Sequence, residues 1–86
     1  MPFFVYVLRS QSSGRYYCGQ TNDLEQRVRQ HNDPFCTGSI DTKRVPGPWL
    51  LVWSEEAASR SAAICRERQI KSRGIGRFLA NQETQR

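Results

Sequence analysis

The 86-residue sequence has no apolar run approaching the roughly 20 residues that a bilayer-spanning helix requires. A membrane partner is therefore not expected. Its start, MPFFVYVLRS, has no charged leader and no small-residue cleavage site, so it reads as a strand rather than a signal peptide. The three cysteines, Cys18, Cys36 and Cys65, form no CxxC pair. The lone histidine, His31, has no partner at a zinc-ligand spacing. Reduced thiols and a cytoplasmic location follow as expectations. Internal repeats, low-complexity tracts and interdomain linkers are absent as well. Half of so short a chain could not bury enough apolar surface to fold, which makes residues 1–86 one expected domain, frayed from about residue 82.

Lysine is scarce: it supplies two of the 13 basic residues, and arginine supplies the other eleven. Only 8 acids oppose them, leaving a net charge of +5. A guanidinium presents a planar fork that can bind phosphate through two hydrogen bonds, where an ammonium offers a point charge. The bias points to phosphate recognition and to nucleic acid as the partner.

The apolar and β-branched run FFVYVLR (3–9) predicts an inner strand, apolar on both faces. SQSSG (10–14) predicts a turn, and RYYCGQ (15–20) returns as its hairpin partner, with Tyr17 and Gly19 on one face and Tyr16 and Cys18 on the other. A helix then follows in TNDLEQRVRQHN, with Asn22 as cap and Glu25 completing a capping box. Leu24 and Val28 make its core-facing pair, and Arg27 and His31 make a second i, i+4 pair at the edge of the core. Residues 33–48 read as a long loop of the kind that carries function in small folds. A third strand is expected at 48–55, a helix at 59–73 capped by Ser59, and a short last helix from Arg77 to Asn81 beyond Gly74 or Gly76. The order β-β-α-β-α-α makes an α+β domain, a small antiparallel sheet covered by helices.

Several side chains on this frame are expensive if folding is the only task. Ala63, Glu67 and Ile70 share one helical stripe, and a carboxylate there must be paired or hold a cation if it is buried. The alternative leaves Glu67 in solvent among Arg60, Arg66 and Arg68. Tyr6 and Tyr17 lie on paired strands; a phenol with its ordinary pKa near 10 is a poor base, and a nearby arginine or metal ion would lower it. A tyrosine that only packs its ring is the competing account.

The segments VYV (5–7), YYCG (16–19), DLEQRVRQHN (23–32) and RERQIK (66–71) together resemble the GIY-YIG nuclease superfamily, above all its small single-domain bacterial members. They are also similar to the catalytic domains of structure-selective endonucleases that cut branched DNA. The resemblance runs from Phe3 to Arg73. It implies a three-stranded antiparallel sheet flanked by helices, with Tyr6 and Tyr17 as the motif tyrosines and Gly19 closing the second motif. It also implies catalytic roles for Arg27 and His31, and Glu67 as ligand of Mg²⁺, with Mn²⁺ as a substitute. The first motif here lacks its glycine, reading Phe4-Val5-Tyr6, and Cys18 stands where isoleucine is usual. The implied activity is metal-dependent endonucleolytic cleavage of DNA, selective for flaps or branches rather than sequence, in repair or recombination. Lys43 and Arg44 in the 33–48 loop and Lys71 beside Glu67 are further candidates for nucleic-acid contact. Sequence specificity would have to come from a protein partner. Two rival accounts are a binding module that keeps the fold without turnover and an interaction domain docking through GPWLLVW.

Overall fold

The computed structural model describes residues 2–32 and 48–84, with side chains through Asn81. Lys43, Arg44 and Cys36 lie outside the described residues, as does nearly all of the expected 33–48 loop. Three strands, β1 (Phe3–Ser10), β2 (Tyr16–Thr21) and β3 (Trp49–Ala57), form one antiparallel sheet in the order β2-β1-β3. Three helices complete the described fold: α1 (Leu24–Asn32), α2 (Arg60–Arg73) and α3 (Ile75–Thr84). The α+β class and the element order agree with the sequence. No helix among the described residues is long and apolar enough to cross a membrane.

The central place of β1 follows from its composition. Val5, Tyr6, Val7 and Leu8 are all buried, which requires layers on both faces of the strand. Val5 and Val7, with Cys18 from β2, pack against Ala63, Ile70 and Phe78 of α2 and α3. Tyr6 and Leu8 pack with Trp49 on the opposite face, joined by Tyr17, Leu24 and Val28. Each fully buried aliphatic side chain contributes about 1.5–3 kcal/mol, so this double-sided burial fixes the register. A one-residue slip would exchange the two faces.

The turns that frame the sheet use the residues expected of them. Gly14 adopts φ 75, and its N–H reaches the Ser10 carbonyl at 2.9 Å, while the buried Ser10 hydroxyl accepts from the Ser13 N–H at 3.2 Å. Ser59 caps α2 by accepting from the Ala62 N–H. Gly74, at φ 97, donates back to Ile70 and its carbonyl accepts from the Phe78 N–H. It therefore closes α2 and opens α3 at one residue, which is why α3 starts earlier than the expected Arg77.

Three expectations are corrected. Strand β3 ends at Ala57 rather than residue 55, extending its pairing with β1 to Phe3. Its register steps between Val7 and Leu8, and Val52 is left without a partner on β1. The cap of α1 is Asp23, not Asn22: Thr21 Oγ1 accepts from the Asp23 N–H at 3.1 Å, and Asp23 Oδ1 accepts from the Gln26 N–H at 3.1 Å. No capping box forms, since Glu25 turns outward to pair with Arg29 at 2.9 Å.

The side chain of Asn32 ties the far end of α1 to the start of β3. Asn32 Nδ2 donates to the Trp49 carbonyl at 3.0 Å, and Asn32 Oδ1 accepts from the Trp49 N–H at 2.7 Å. A carboxamide with a donor and an acceptor side by side replaces a strand neighbour at the start of β3. The clamp holds the last turn of α1, and His31 within it, against the Tyr6 face.

Candidate active site

Four of the five candidate catalytic side chains meet where α1 crosses the hairpin. Tyr6 faces Gly19 across the β1–β2 pair, and its ring lies over that glycine. A Cβ at Gly19 would stand 2.7 Å from Tyr6 Oη and 2.9 Å from Tyr6 Cζ. The motif glycine is thus required for close approach rather than for a special backbone angle. The rings of Tyr6 and Tyr17 stand 6.2 Å apart, and His31 packs at 5.8 Å from the first and 4.8 Å from the second.

The i, i+4 spacing of Arg27 and His31 brings both to the Tyr6 hydroxyl. Arg27 Nε donates to Tyr6 Oη at 3.4 Å, and Tyr6 Oη lies 2.8 Å from His31 Nε2. A guanidinium can only donate, so the phenol oxygen accepts from Arg27, and the same oxygen shares a hydrogen bond with His31 Nε2 whose direction follows the imidazole tautomer. Arg27 Nη1 also donates to Gln30 Oε1 at 3.0 Å. Helix α1 therefore supplies a carboxamide that holds the guanidinium and a histidine that is hydrogen-bonded to the phenol.

Two expectations about this cluster need revision. His31 is not at the edge of the core but buried, only 2 % exposed. Tyr6 does not have a lowered pKa. Burial pushes it well above the ordinary phenol value; Arg27 pulls it down, and the charges near Tyr17 and Glu67 push it up again. Desolvation prevails, and Tyr6 is a neutral phenol across the physiological range. Tyr17 is only partly buried, so it is the phenol that solvent reaches. On the opposite strand face, burial and the field of Glu67 push the Cys18 thiol up to about 11, against a smaller pull from Lys71, and this makes Cys18 an inert packing residue.

Glu67 approaches from α2. Its side chain is 21 % exposed, and Lys71 Nζ lies 3.0 Å from Oε2. The charge it places near Tyr6 and Cys18 raises both, so it belongs to the same electrostatic neighbourhood as the tyrosines. Among the described residues it makes no hydrogen bond to the other four candidates. The alternative of a carboxylate solvated among arginines does not hold for Arg66, which turns to Glu55 at 2.8 Å and lies over the Phe78 ring at 5.2 Å. Lys71 is accordingly held by Glu67; burial is the largest single influence and works against its charge, but the Glu67 hydrogen bond, the Glu67 charge and the nearby Tyr17 and Cys18 together outweigh it and raise its pKa.

Among the described residues no group of three or more His, Cys, Asp or Glu could cage a metal. One partly exposed carboxylate suits Mg²⁺, which keeps most of its waters and binds through one or two carboxylates together with substrate phosphate. The donor set fits such an ion and excludes a structural zinc site within the described residues.

Comparison with known proteins shows which family the chain belongs to. The family described as the GIY-YIG catalytic domain matches residues 2–74. The chain belongs to the GIY-YIG family. A UPF0213 protein of Vibrio cholerae is 38% identical over 72 residues, covering 83% of this chain and 67% of its own. Structure-specific endonuclease subunit SLX1 of Meyerozyma guilliermondii is 34% identical over 79 residues, 88% of this chain. A Trypanosoma cruzi homologue of that subunit is 45% identical over 51 residues, 56% of this chain. The match spans only 27% of the first SLX1 subunit and 10% of the second. The solution NMR structure of a UPF0213 protein from Bacillus halodurans superposes with a TM-score of 0.53 at 25% identity, covering 99% of this chain and 84% of that one.

In this GIY-YIG chain Tyr6, Tyr17 and Gly19 pack as one unit, whereas Tyr16 is 38% exposed on the other face. Two supporting residues were not singled out in the sequence, Gln30 and Asn32. Gln30 had a readable signal, its i, i+3 spacing from Arg27. Asn32 had none, because its partner is the backbone of a strand seventeen residues away.

Proposed function

We propose that this GIY-YIG chain is a metal-dependent endonuclease that hydrolyses phosphodiester bonds in DNA. We further propose that it selects flaps or branches by shape and acts in repair or recombination, with any sequence preference supplied by a protein partner. The observation that carries the reading is the convergence on the Tyr6 hydroxyl of Arg27 and His31, with Glu67 close enough for its charge to be felt there. The basic composition and the similarity to structure-specific endonuclease subunits support DNA as substrate and shape as the selected feature.

Arg27 grips the scissile phosphate and stabilises the charge that grows on its oxygens. Its position is set from behind by Tyr6 and from the side by Gln30. Tyr17, the solvent-reached tyrosine, acts as the base in its deprotonated form, its phenolate Oη taking the proton from the attacking water. Tyr6, neutral and buried, keeps the guanidinium aimed and is itself held by its hydrogen bond with His31. Glu67 is the residue that would hold Mg²⁺, sharing or exchanging Lys71 when it does. A bound Mg²⁺ supplies Lewis-acid polarisation of the phosphate and stabilises the leaving oxygen.

The test is a panel of flap, four-way-junction, single-stranded and duplex DNA, incubated with the protein in Mg²⁺ or in EDTA. The expected result is cleavage of branched substrates in Mg²⁺ alone. Salt-sensitive binding of every DNA with no cleavage in any condition would show a binding module instead.

A further inference from the structure

Beyond the tyrosine cluster, an open groove of about 410 Å³ runs from Arg27 to the first turn of α2. Arg27 and Arg60 both line it, together with the carboxamides of Gln20, Asn22, Gln26 and Gln30. We propose that this groove carries the nucleic-acid strand that flanks the scissile phosphate, with Arg60 as a distal phosphate contact. The inference rests on the nuclease reading and extends it to the path of the substrate.

Three observations support it. The groove is continuous with the site, because Arg27 and Gln30 belong to both. Its chemistry matches a strand: two guanidinium groups for phosphate, and neutral carboxamides that donate and accept without repelling phosphate. Asp23 is the single carboxylate of the lining among the described residues, and its Oδ1 is turned to the Gln26 N–H at the start of α1. Arg60 is exposed and makes no hydrogen bond or ion pair among the described residues, unlike Arg29 and Arg66. It is an available cation.

The spacing is also suitable. Arg60 and Glu67 are seven residues apart on α2, on one face and separated by about 10 Å along the axis. That is the scale of one or two backbone steps of a strand, so a strand with its scissile phosphate at Arg27 and Glu67 can place a neighbouring phosphate at Arg60.

The experiment compares wild type, Arg60→Ala, Arg60→Lys and the double substitution Asn22→Ala/Gln26→Ala on a flap DNA. Affinity is read by fluorescence anisotropy in EDTA over a range of salt, and cleavage kinetics are read in Mg²⁺. Arg60→Ala is expected to raise Kd and KM by about 3–10-fold and to lower the log–log salt slope by about 1. The loss falls in KM rather than kcat. Arg60→Lys restores the slope, and the carboxamide double substitution weakens binding without changing it. Wild-type affinity and slope in Arg60→Ala, alongside normal cleavage, would overturn the groove assignment and leave the nuclease reading standing. Absence of cleavage by wild type would overturn the nuclease reading, and the anisotropy slopes would then judge the groove alone.

Discussion

Replacing Gly19 by alanine tests the packing on which the site depends. The added Cβ would lie 2.7 Å from Tyr6 Oη, 2.9 Å from Tyr6 Cζ and 3.0 Å from Tyr17 Cε1. Contacts under 3.0 Å must be relieved by movement, and Tyr6 has little freedom to move. It is 1% exposed, and its hydroxyl is fixed by His31 at 2.8 Å and Arg27 at 3.4 Å. Overpacking of this kind costs about 1–3 kcal/mol. Gly19 is not among the glycines with positive φ, so alanine also gains about 0.4–1 kcal/mol from a less flexible unfolded chain. From the middle of both ranges the net loss is about 1.3 kcal/mol, a fall in Tm of about 5–10 °C for a domain of this size. Activity should fall further than stability, because a shift of about 1 Å in the groups that hold Arg27 can cost about 100-fold in rate. Gly76→Ala is the control: its Cβ would meet Tyr16 Cε2 at 3.6 Å, an ordinary contact inside α3, and the substitution should be neutral or stabilising. Thermal unfolding by circular dichroism and cleavage rates well below both midpoints provide the readout. An unchanged or higher Tm for Gly19→Ala with full activity would refute the locked position of Tyr6.

Other perturbations probe separate links. Because burial raises the Tyr6 pKa, the stability it confers is complete below the ordinary phenol value of about 10 and is lost as pH climbs through its folded pKa. Phenolate absorbance should therefore show a late-titrating tyrosine in the native protein that Tyr6→Phe removes, and an unchanged titration curve would contradict its neutrality. Asn32→Ala removes both bonds to the Trp49 backbone and should cost about 1–3 kcal/mol in denaturant unfolding; a variant as stable as wild type would show that the clamp holds nothing. Ser59→Ala deletes the α2 cap and should cost about 1 kcal/mol by the same method while leaving the cleavage rate intact, which a large rate loss would disprove.

What could be read from the residues depended on how far away their partners were. Strand β1 was legible because four consecutive buried residues of mixed β-branched and aromatic type admit little else, and the Ser59 cap because the signal is local. The cap of α1 was misassigned to Asn22 because Thr21, the last residue of β2, takes the Asp23 N–H and shifts the helix start by one position. The i, i+4 pairing of Arg27 and His31 was visible on a helical wheel. The burial of His31 was not, since it depends on Tyr6 reaching across from another element. The elevated pKa of Tyr6 was missed for the same reason: an arginine nearby argued for a lowered value, and only the packed structure shows that desolvation outweighs it. The exposed run Leu50, Leu51 and Val52 on β3 read as ordinary strand, because a register step leaves no mark in composition.

The central claim is that Arg27, the tyrosines and Glu67 act together to cut DNA. The most direct measurement is the cleavage rate of a flap substrate by wild type and by the isosteric Glu67→Gln, each in Mg²⁺ and in EDTA. The account predicts cleavage by wild type in Mg²⁺, none in EDTA, and a loss of at least about 100-fold in Glu67→Gln. Equal rates for the two proteins in Mg²⁺, or cleavage that persists in EDTA, would contradict it.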